Sequence, residues 1–423
     1  MPFALEQEHR STWDPALLYR TGMFHGALMQ GVKSVERAAR NGASATLEAL
    51  PHDILFEGNP RPAFVFDPIL LDAAGQAVAY WFWEAIEKGT DLFPYRVASF
   101  DIFESSPPVG ARLECRVLRR FESDMVIHSD IEVLDHSGKV YYRLKGWETR
   151  RFPQPPRFLH LRVSPREAYV SAPWPEAASG ESVVCRRIDD LSTEFLESSH
   201  NIWLKALAYL ALNPKERTEW EGMKGVAKRR HEWLLGRCAA KDAVRELIAK
   251  ATGEVLCEAD IEIGYDGHGK PEAHGAWEQR LNVLPQISIT HSHGVAAAIA
   301  TVQANQRVGI DIEVVGRAAE NFEKIAFREE ERGMLAGLPP DKHNEWALRL
   351  WTAKEALSKA LGQGFHQGLH SLHITGFDLA KGTVEMELAD ALTALFPALK
   401  GKKLSAHTSI QGQLSVATAI LTT

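Results

Sequence analysis

The residues most suggestive of chemistry are two acidic side chains in the segment 307–315, RVGIDIEVV. Its alternating pattern predicts a β-strand, in which successive side chains point to opposite faces. Val308 and Ile310 then face a core, while Asp311 and Glu313 share the other face. Two carboxylates this close raise each other's pKa unless a cation lies between them. Magnesium suits such a site, because it binds a few carboxylates and completes its shell with water and phosphate oxygens. The alternative is a solvated strand face.

A second group lies in the segment 349–362, RLWTAKEALSKALG, which predicts a helix. Trp351, Glu355 and Lys359 are four residues apart and therefore share one face. The predicted buried stripe consists of Leu350, Ala353, Leu357 and Leu361. A surface helix with a Glu–Lys pair worth ~0.3–0.5 kcal/mol is the alternative, although it gives the Trp no packing role.

A third group is the turn SITHSHG, in which His291 ends a predicted strand. There its imidazole could bind a phosphate together with Ser288 and Thr290. A structural or simply exposed histidine is the alternative. The segments 286–290, 295–302 and 307–315 are predicted to form three antiparallel strands joined by tight turns.

Order and spacing of these segments resemble those of the surfactin-type 4'-phosphopantetheinyl transferases. The motifs that carry the resemblance are, in chain order, RRHEWLLGRCAAKDA (229–243), GKP (269–271), SITH (288–291), GIDIE (309–313), FREEER (327–332) and WTAKEALSK (351–359). Each motif is weak alone, whereas the ordered set is specific. The resemblance implies a fold of two similar α+β halves around a coenzyme A cleft.

The resemblance also implies roles for the charged residues. Asp311, Glu313 and Glu355 would bind Mg²⁺, which bridges to the pyrophosphate of coenzyme A. Glu355 would assist deprotonation of the acceptor serine, with Asp311 and Lys359 completing the catalytic group. Lys359, and with it Lys354, would neutralise the diphosphate.

Six further residues are assigned to coenzyme A by the same resemblance: Ser288, His291, Lys270, Pro271, Arg230 and Arg237. His291 would contact the 3'-phosphate, Lys270 and Pro271 would frame the adenine, and the two arginines would contact phosphate.

The N-terminal region predicts one helix wrapped by a sheet. Residues 67–84 have an apolar stripe at helical spacing, with Asp67 as the N-cap and Pro68 in the first turn. Alternating segments follow, and Ser137-Gly138 predicts a hairpin turn between two strands.

This region resembles the second of the two hot-dog halves of polyketide synthase dehydratases. The resemblance rests on RTGMFHGALMQGVKSV (20–35) and on DPILLDAAGQAVAYWF (67–82), in which Asp72 and Gln76 lie one turn apart. The HxxxGxxxxP segment that carries the dehydratase histidine is absent from the sequence, and removal of water needs both partners. Two hypotheses stay open: a structural, acyl-binding or docking role, and a dehydratase half completed by another chain or by upstream sequence.

The length of 423 residues predicts more than one domain. We expect an α+β protein with a hot-dog, dehydratase-like domain over 1–155, a proline-rich linker over 156–180 and a transferase domain over 181–423.

The composition of the chain limits the cellular environment and the classes of binding partner that we expect. The net charge of −7 argues against a general nucleic-acid binder, and four scattered cysteines indicate reduced thiols in a cytoplasmic protein. The longest apolar run, 295–302, is far shorter than the ~20 residues that cross a bilayer, so no membrane partner is expected.

Three functions are therefore weighed. The first is transfer of phosphopantetheine from coenzyme A to a serine of an acyl or peptidyl carrier protein, by a tail or subunit of a polyketide or polyunsaturated fatty acid-type synthase. The second is a hot-dog dehydratase or thioesterase acting on acyl thioesters, with the C-terminal domain as passenger. The third is a non-catalytic docking module. A DSL-type carrier serine motif is absent from the sequence, so the carrier would be a separate protein or domain.

Overall fold

The computed structural model describes residues 2–53, 55–60, 62–85, 90–178, 182–224, 227–316, 321–364 and 368–422. It divides the chain into two compact units, Met1–Ser164 and Pro165–Thr423. None of the helices in these described ranges is long and apolar enough to span a membrane.

The first unit is one antiparallel sheet around a central helix. Its strands are β1 (His9–Arg10), β2 (Val32–Ala39), β3 (Gly42–Glu48), β4 (Thr90–Arg96), β5 (Ser99–Ile102), β6 (Arg112–Glu122), β7 (Val126–Leu134) and β8 (Val140–Pro153). Its helices are α1 (Pro15–Leu17), α2 (Pro68–Ala85) and α3 (Pro156–Val163). The sheet order is β1-β2-β3-β6-β7-β8-β4, with β5 also paired to β8.

Helix α2 forms the core of this unit, as the sequence predicts. Asp67 Oδ1 accepts a hydrogen bond from the backbone N–H of Leu70 at 2.9 Å, which is the predicted N-cap. The predicted stripe is fully buried against the sheet and consists of Leu70, Ala74, Ala77, Val78 and Trp81. Burial of each large apolar side chain contributes about 1.5–3 kcal/mol, so the stripe fixes the helix inside the sheet.

In its described residues, the second unit contains two sheets and several helices. Its strands are β9 (Ala172–Pro173), β10 (Val183–Ile188), β11 (Glu262–Tyr265), β12 (Pro271–His274), β13 (Gln286–Ser292), β14 (Val295–Thr301), β15 (Gln306–Val314), β16 (Leu372–Asp378), β17 (Thr383–Leu388), β18 (Leu404–Gln411) and β19 (Leu414–Thr422). Its helices are α4 (Thr193–Ala211), α5 (Pro214–Gly222), α6 (Ala227–Thr252), α7 (Phe322–Ala326), α8 (Glu329–Ala336), α9 (Pro340–Leu361) and α10 (Asp390–Leu395).

The two sheets give this unit the predicted pair of α+β halves. One sheet has the order β11-β12-β13-β14-β10-β9 and packs against α6, and the other has the order β15-β19-β18-β17-β16 and packs against α9.

The segment 156–180, predicted as a linker, contributes regular structure to both units. Pro156 lies in the first turn of α3, where its missing N–H costs nothing. Ser171 is buried, and its N–H and Oγ donate to Asp242 Oδ2 at 2.9 and 2.7 Å. Pro156 begins a helix, and Pro173 lies within a short edge strand.

The prediction of three neighbouring antiparallel strands over 286–315 is half right. Strands β13 and β14 pair as predicted, whereas β15 pairs with β19 in the other sheet. Side chains of β13 instead reach the open edge of β15: Ser288 Oγ accepts from Ile310 N at 3.1 Å, and Thr290 Oγ1 accepts from Ile312 N at 3.3 Å. These hydroxyls satisfy backbone donors that the edge of a sheet leaves without a strand partner.

Strand β15 alternates as predicted. Val308, Ile310 and Ile312 are buried in a core with residues of β10 and β14. Gly309 faces α9 so closely that an added Cβ would lie 1.9 Å from the carbonyl oxygen of Ala356. Only glycine allows the strand and helix backbones to meet here.

Replacing Gly309 by Ala should therefore lower the free energy of unfolding by about 3 kcal/mol or more, because the new methyl group meets helix backbone that cannot move aside. Urea denaturation measures the change. Gly376→Ala on β16 of the same sheet is the matched control, since its added Cβ meets nothing within 4 Å. Equal effects of the two substitutions would contradict the close approach.

Candidate functional site

A cavity of about 520 Å³ lies in the second unit and draws its lining from both halves. Seven of the residues singled out from the sequence line it: Arg237, Lys270, Pro271, Ser288, His291, Glu355 and Lys359. Helix α6 and strand β13 supply one side, and the C-terminal turns of α9 supply the other.

Helix α9 presents the predicted face to this cavity. Trp351, Glu355 and Lys359 are partly exposed, while the described side chains between them are buried. Trp351 packs edge-on against the ring of Phe322, with 5.7 Å between ring centres, which gives it a packing role. The helix ends at Gly362 in the left-handed conformation, and this glycine also lines the cavity.

Asp311 is not itself a lining residue but contacts Lys359, which is, and it is held by two neighbours. Its Oδ1 accepts hydrogen bonds from Thr290 Oγ1 at 3.0 Å and from Lys359 Nζ at 2.7 Å. Its Oδ2 is buried and has no hydrogen-bond partner among the residues that the structure describes. A buried carboxylate oxygen of this kind costs free energy until a donor or a cation reaches it.

Glu355 has a pKa raised to about 7. Burial is the main cause, and the nearby charges of Asp311 and Glu313 raise the pKa further, whereas Lys359 opposes the change. The three predicted acids therefore share one electrostatic environment. A carboxyl group whose pKa lies near neutrality is suited to proton transfer.

The donor chemistry of these acids fits a hard divalent cation. Asp311 has an unsatisfied carboxylate oxygen, and the pKa of Glu355 reports negative charge that a cation would neutralise. Glu313 contacts the hydroxyl of Ser292, whose Oγ lies 3.4 Å from its Oε2. Within the described ranges, no three His, Cys, Asp or Glu side chains are already grouped as a metal site.

The cavity lining also carries cationic and imidazole groups. Arg237 is almost fully buried, and its guanidinium carbon lies 3.2 Å from the ring centre of Trp233. Lys270 Nζ donates to Gln286 Oε1, and burial lowers its pKa. His291 is half-exposed, and burial of its ring lowers its pKa although the charge of Glu232 opposes this.

Comparison with known proteins places these residues in a family. Residues 307–414 match the model described as 4'-phosphopantetheinyl transferase superfamily. A holo-[acyl-carrier-protein] synthase of Bacillus mycoides (strain KBAB4) is 32% identical over 96 residues, which cover 23% of this chain and 76% of that protein. The chain belongs to the 4'-phosphopantetheinyl transferase superfamily.

A 4'-phosphopantetheinyl transferase of Bacillus subtilis is 29% identical over 160 residues. The match covers 38% of this chain and 64% of the Bacillus subtilis protein. The superfamily match over 307–414 contains Asp311, Glu355 and Lys359, whereas Lys270 and His291 precede it.

The first unit matches a different family. Residues 4–158 match the model described as polyketide synthase dehydratase N-terminal domain, and the unit is a hot-dog, dehydratase-type domain. The dehydratase domain of the CurJ module of the curacin polyketide synthase is 18% identical, covers 37% of this chain and 52% of its own, and gives a TM-score of 0.29. The dehydratase resemblance is confirmed, whereas the assignment to the second half differs from the matched N-terminal domain.

Within the transferase unit, two residues that the resemblance assigns to coenzyme A lie outside the cavity lining. Lys354 is fully buried away from the cavity, and its Nζ lies 2.7 Å from Glu331 Oε2, so it joins α9 to α8. Arg230 is absent from the cavity lining, and its guanidinium carbon lies 4.3 Å from the ring centre of Trp220. Each side chain lies about one helical position away from the face that carries the site.

The transferase cavity also has lining residues that the sequence did not single out. They include Arg229, Glu232, Trp233, Tyr265 and His268. Residues 229, 232, 233, 236 and 237 follow the spacing of one helix face, and this spacing is the signal that would have favoured Arg229 over Arg230.

In the hot-dog unit, the structure brings Asp72 and Gln76 together as predicted. Gln76 Nε2 donates to Asp72 Oδ2 at 2.6 Å. Tyr19 Oη donates to Gln76 Oε1 at 2.7 Å, so the amide is held from both ends.

Replacing Thr290 by Val should lower the free energy of unfolding by about 1–3 kcal/mol, because Asp311 and the Ile312 N–H each lose a buried partner. Urea denaturation measures this, and Thr290→Ser, which keeps the hydroxyl, should recover most of the loss. Thr290→Ser as unstable as Thr290→Val would mean that the methyl group, not the hydroxyl, matters.

Replacing Glu355 by Gln should stabilise the protein at pH 8. The folded-state pKa of about 7 exceeds the ordinary glutamate pKa of 4.5, so ionisation above pH 7 costs the folded state free energy. We expect a gain on the order of 2–3 kcal/mol at pH 8 that shrinks towards pH 4.5, where both states bind the proton.

Urea denaturation at pH 5 and pH 8, without divalent cations, tests the effect. Asp341→Asn, an exposed acid on the same helix, controls for loss of one charge. A gain that is equal at both pH values would contradict the raised pKa.

Proposed function

We propose that the second unit transfers the 4'-phosphopantetheine arm of coenzyme A to a serine of an acyl or peptidyl carrier protein, with magnesium as cofactor. The observation that carries the proposal is that Glu355 and Lys359 line one cavity together with His291 and Arg237, while Asp311 accepts a hydrogen bond from Lys359. A diphosphate with a 3'-phosphate on the same molecule matches this distribution of charge.

The acidic end supplies the base. Attack of a serine hydroxyl on a phosphorus atom requires removal of a proton, and Glu355, with a pKa of about 7, takes it directly or through a water. Thr290 and Lys359 hold Asp311 in place beside it. Magnesium, when bound by Asp311, Glu313 and Glu355, would neutralise charge on the diphosphate.

The cationic groups bind the rest of coenzyme A. Lys359 offsets the negative charge that develops on the phosphoryl oxygens. His291 and Arg237 contact phosphate, and Lys270 with Pro271 frames the adenine. The leaving group is 3',5'-adenosine bisphosphate, and the mechanism requires no covalent enzyme intermediate.

The first unit supports a place within a larger assembly. A dehydratase-type domain and a transferase in one chain suit a tail or subunit of a polyketide or polyunsaturated fatty acid-type synthase that modifies its own carriers. We place this activity in the cytoplasm, in keeping with four cysteines that form no disulfide.

Incubation of the full chain with coenzyme A, Mg²⁺ and an apo carrier protein should add one phosphopantetheine arm to the carrier, measured by intact-protein mass spectrometry. Glu355→Gln should lower the rate roughly 100-fold or more, since it removes the base. Asp311→Ala should weaken the dependence on Mg²⁺, and a chelator should stop transfer by the native chain.

Asp341→Asn serves as the control on the same helix and should transfer at the native rate. Native rates from folded Glu355→Gln would refute the assignment of the base. An absence of transfer to any carrier, together with dehydration or hydrolysis of an acyl thioester, would favour the second candidate, in which the hot-dog unit is the enzyme.

A further inference from the structure

The transferase cavity contains an acidic residue to which the proposed function gives no role. The lining residues that the structure describes include four cations: Arg229, Arg237, Lys270 and Lys359. Two acids line the cavity among the same described residues, and only one of them, Glu355, serves as the base. The other is Glu232. A carboxylate in the wall of a cavity for phosphates lowers the affinity for them unless it acts through a cation.

Glu232 lies beside His291 because helix α6 meets strand β13 closely. Gly236, one turn after Glu232, faces Ile289 so closely that an added Cβ would lie 3.1 Å from the Cγ2 of Ile289. Ile289 and His291 are two residues apart and therefore share one face of β13. As a result, Oε2 of Glu232 lies 3.7 Å from Nδ1 of His291, and the glutamate side chain is largely buried.

The two carboxylate oxygens of Glu232 face different basic groups. Oε1 lies 3.5 Å from Nζ of Lys228, which is exposed and is absent from the cavity lining. An exposed pair of this kind contributes little free energy. The contact of Oε2 with His291 is the one that reaches a residue of the cavity.

Glu232 also has the strongest electrostatic effect that favours a protonated His291. Burial lowers the pKa of His291, and the charge of Glu232 on α6 is the largest effect that opposes this. From the facing elements, the charge of Lys359 on α9 lowers the pKa and the charge of Asp311 on β15 raises it.

A carboxylate beside Nδ1 also decides what the imidazole offers to a ligand. With Nδ1–H directed at Glu232, a protonated ring keeps Nε2–H as a donor for phosphate, whereas a neutral ring would present a lone pair there. We propose that Glu232 is a positioning residue, which holds His291 as a phosphate donor and so sets the preference of the cavity for a nucleotide with a 3'-phosphate. This inference rests on the proposed function, which supplies the ligand.

An acid in this place has one rival role, which is simple repulsion of phosphate. The two roles predict opposite signs. If Glu232 holds His291, loss of its charge weakens binding of a 3'-phosphate. If Glu232 only repels the ligand, loss of its charge strengthens binding.

Isothermal titration calorimetry of the full chain with two nucleotides measures this sign. The probes are 3',5'-adenosine bisphosphate and adenosine 5'-monophosphate, which lacks the 3'-phosphate. Glu232→Gln should weaken binding of the bisphosphate roughly fivefold, the size expected of a partly exposed charged contact, and leave binding of the monophosphate unchanged. In the carrier assay it should raise KM for coenzyme A and leave kcat unchanged, because it acts on binding alone.

Three further variants make the measurement specific. Glu221→Gln removes an exposed acid of α5 outside the cavity lining and should bind both nucleotides as the native chain does. Glu232→Asp keeps the charge and should recover part of the loss, and it gives the decisive measurement if Glu232→Gln does not fold. In a His291→Gln background, Glu232→Gln should cause no further loss, since the partner through which it acts is gone.

A loss that is confined to the bisphosphate and that requires His291 supports the inference. Tighter binding of the bisphosphate by Glu232→Gln overturns it, as does equal weakening of both nucleotides or a loss that persists without His291. The carrier assay on the same preparation separates the two proposals. Transfer without this coupling refutes only the role of Glu232, and the coupling without transfer to any carrier refutes only the transferase.

Discussion

The close approach of β15 and α9 at Gly309 is the constraint on which the transferase site depends. Because no side chain separates the two backbones there, Asp311, two residues further along the strand, lies within hydrogen-bond reach of Lys359 on the helix. The same approach brings the charge of Asp311 close enough to Glu355 to raise its pKa. A bulkier residue at position 309 would separate the strand from the helix and the acids from one another.

The two halves of the transferase unit are joined along the open edge of β15. Ser288 and Thr290 of β13 satisfy backbone donors of that edge, and Thr290 also holds Asp311. The residues that join the halves are therefore neighbours of those that would act on a substrate. This arrangement explains why the cavity draws its lining from both halves.

The candidate site contains polar and charged groups that lower the stability of the folded protein and that a bound ligand could satisfy. A buried Asp311 oxygen without a partner and a Glu355 whose ionised form is disfavoured both weaken the folded state. Binding of a ligand would remove these costs, so such groups are informative about function.

The sequence by itself determined the elements and much of the transferase site. Alternation over 307–315 and the four-residue spacing of Trp351, Glu355 and Lys359 predicted which side chains share a face, because the periods of strands and helices are local properties. The buried stripe of α2 and its Asp67 cap follow from the same local rules. The family motifs supplied the roles that periodicity cannot supply.

Only the tertiary structure decided the remaining features, because these features depend on which helices and strands pack against each other. Only the fold shows that β15 pairs with β19, that Lys354 is buried against Glu331, and that Arg229 rather than Arg230 faces the cavity. Glu232 and His291 are 59 positions apart in the sequence, and no periodicity links them. Their proximity comes from packing of α6 against β13, a long-range contact that local sequence patterns do not encode.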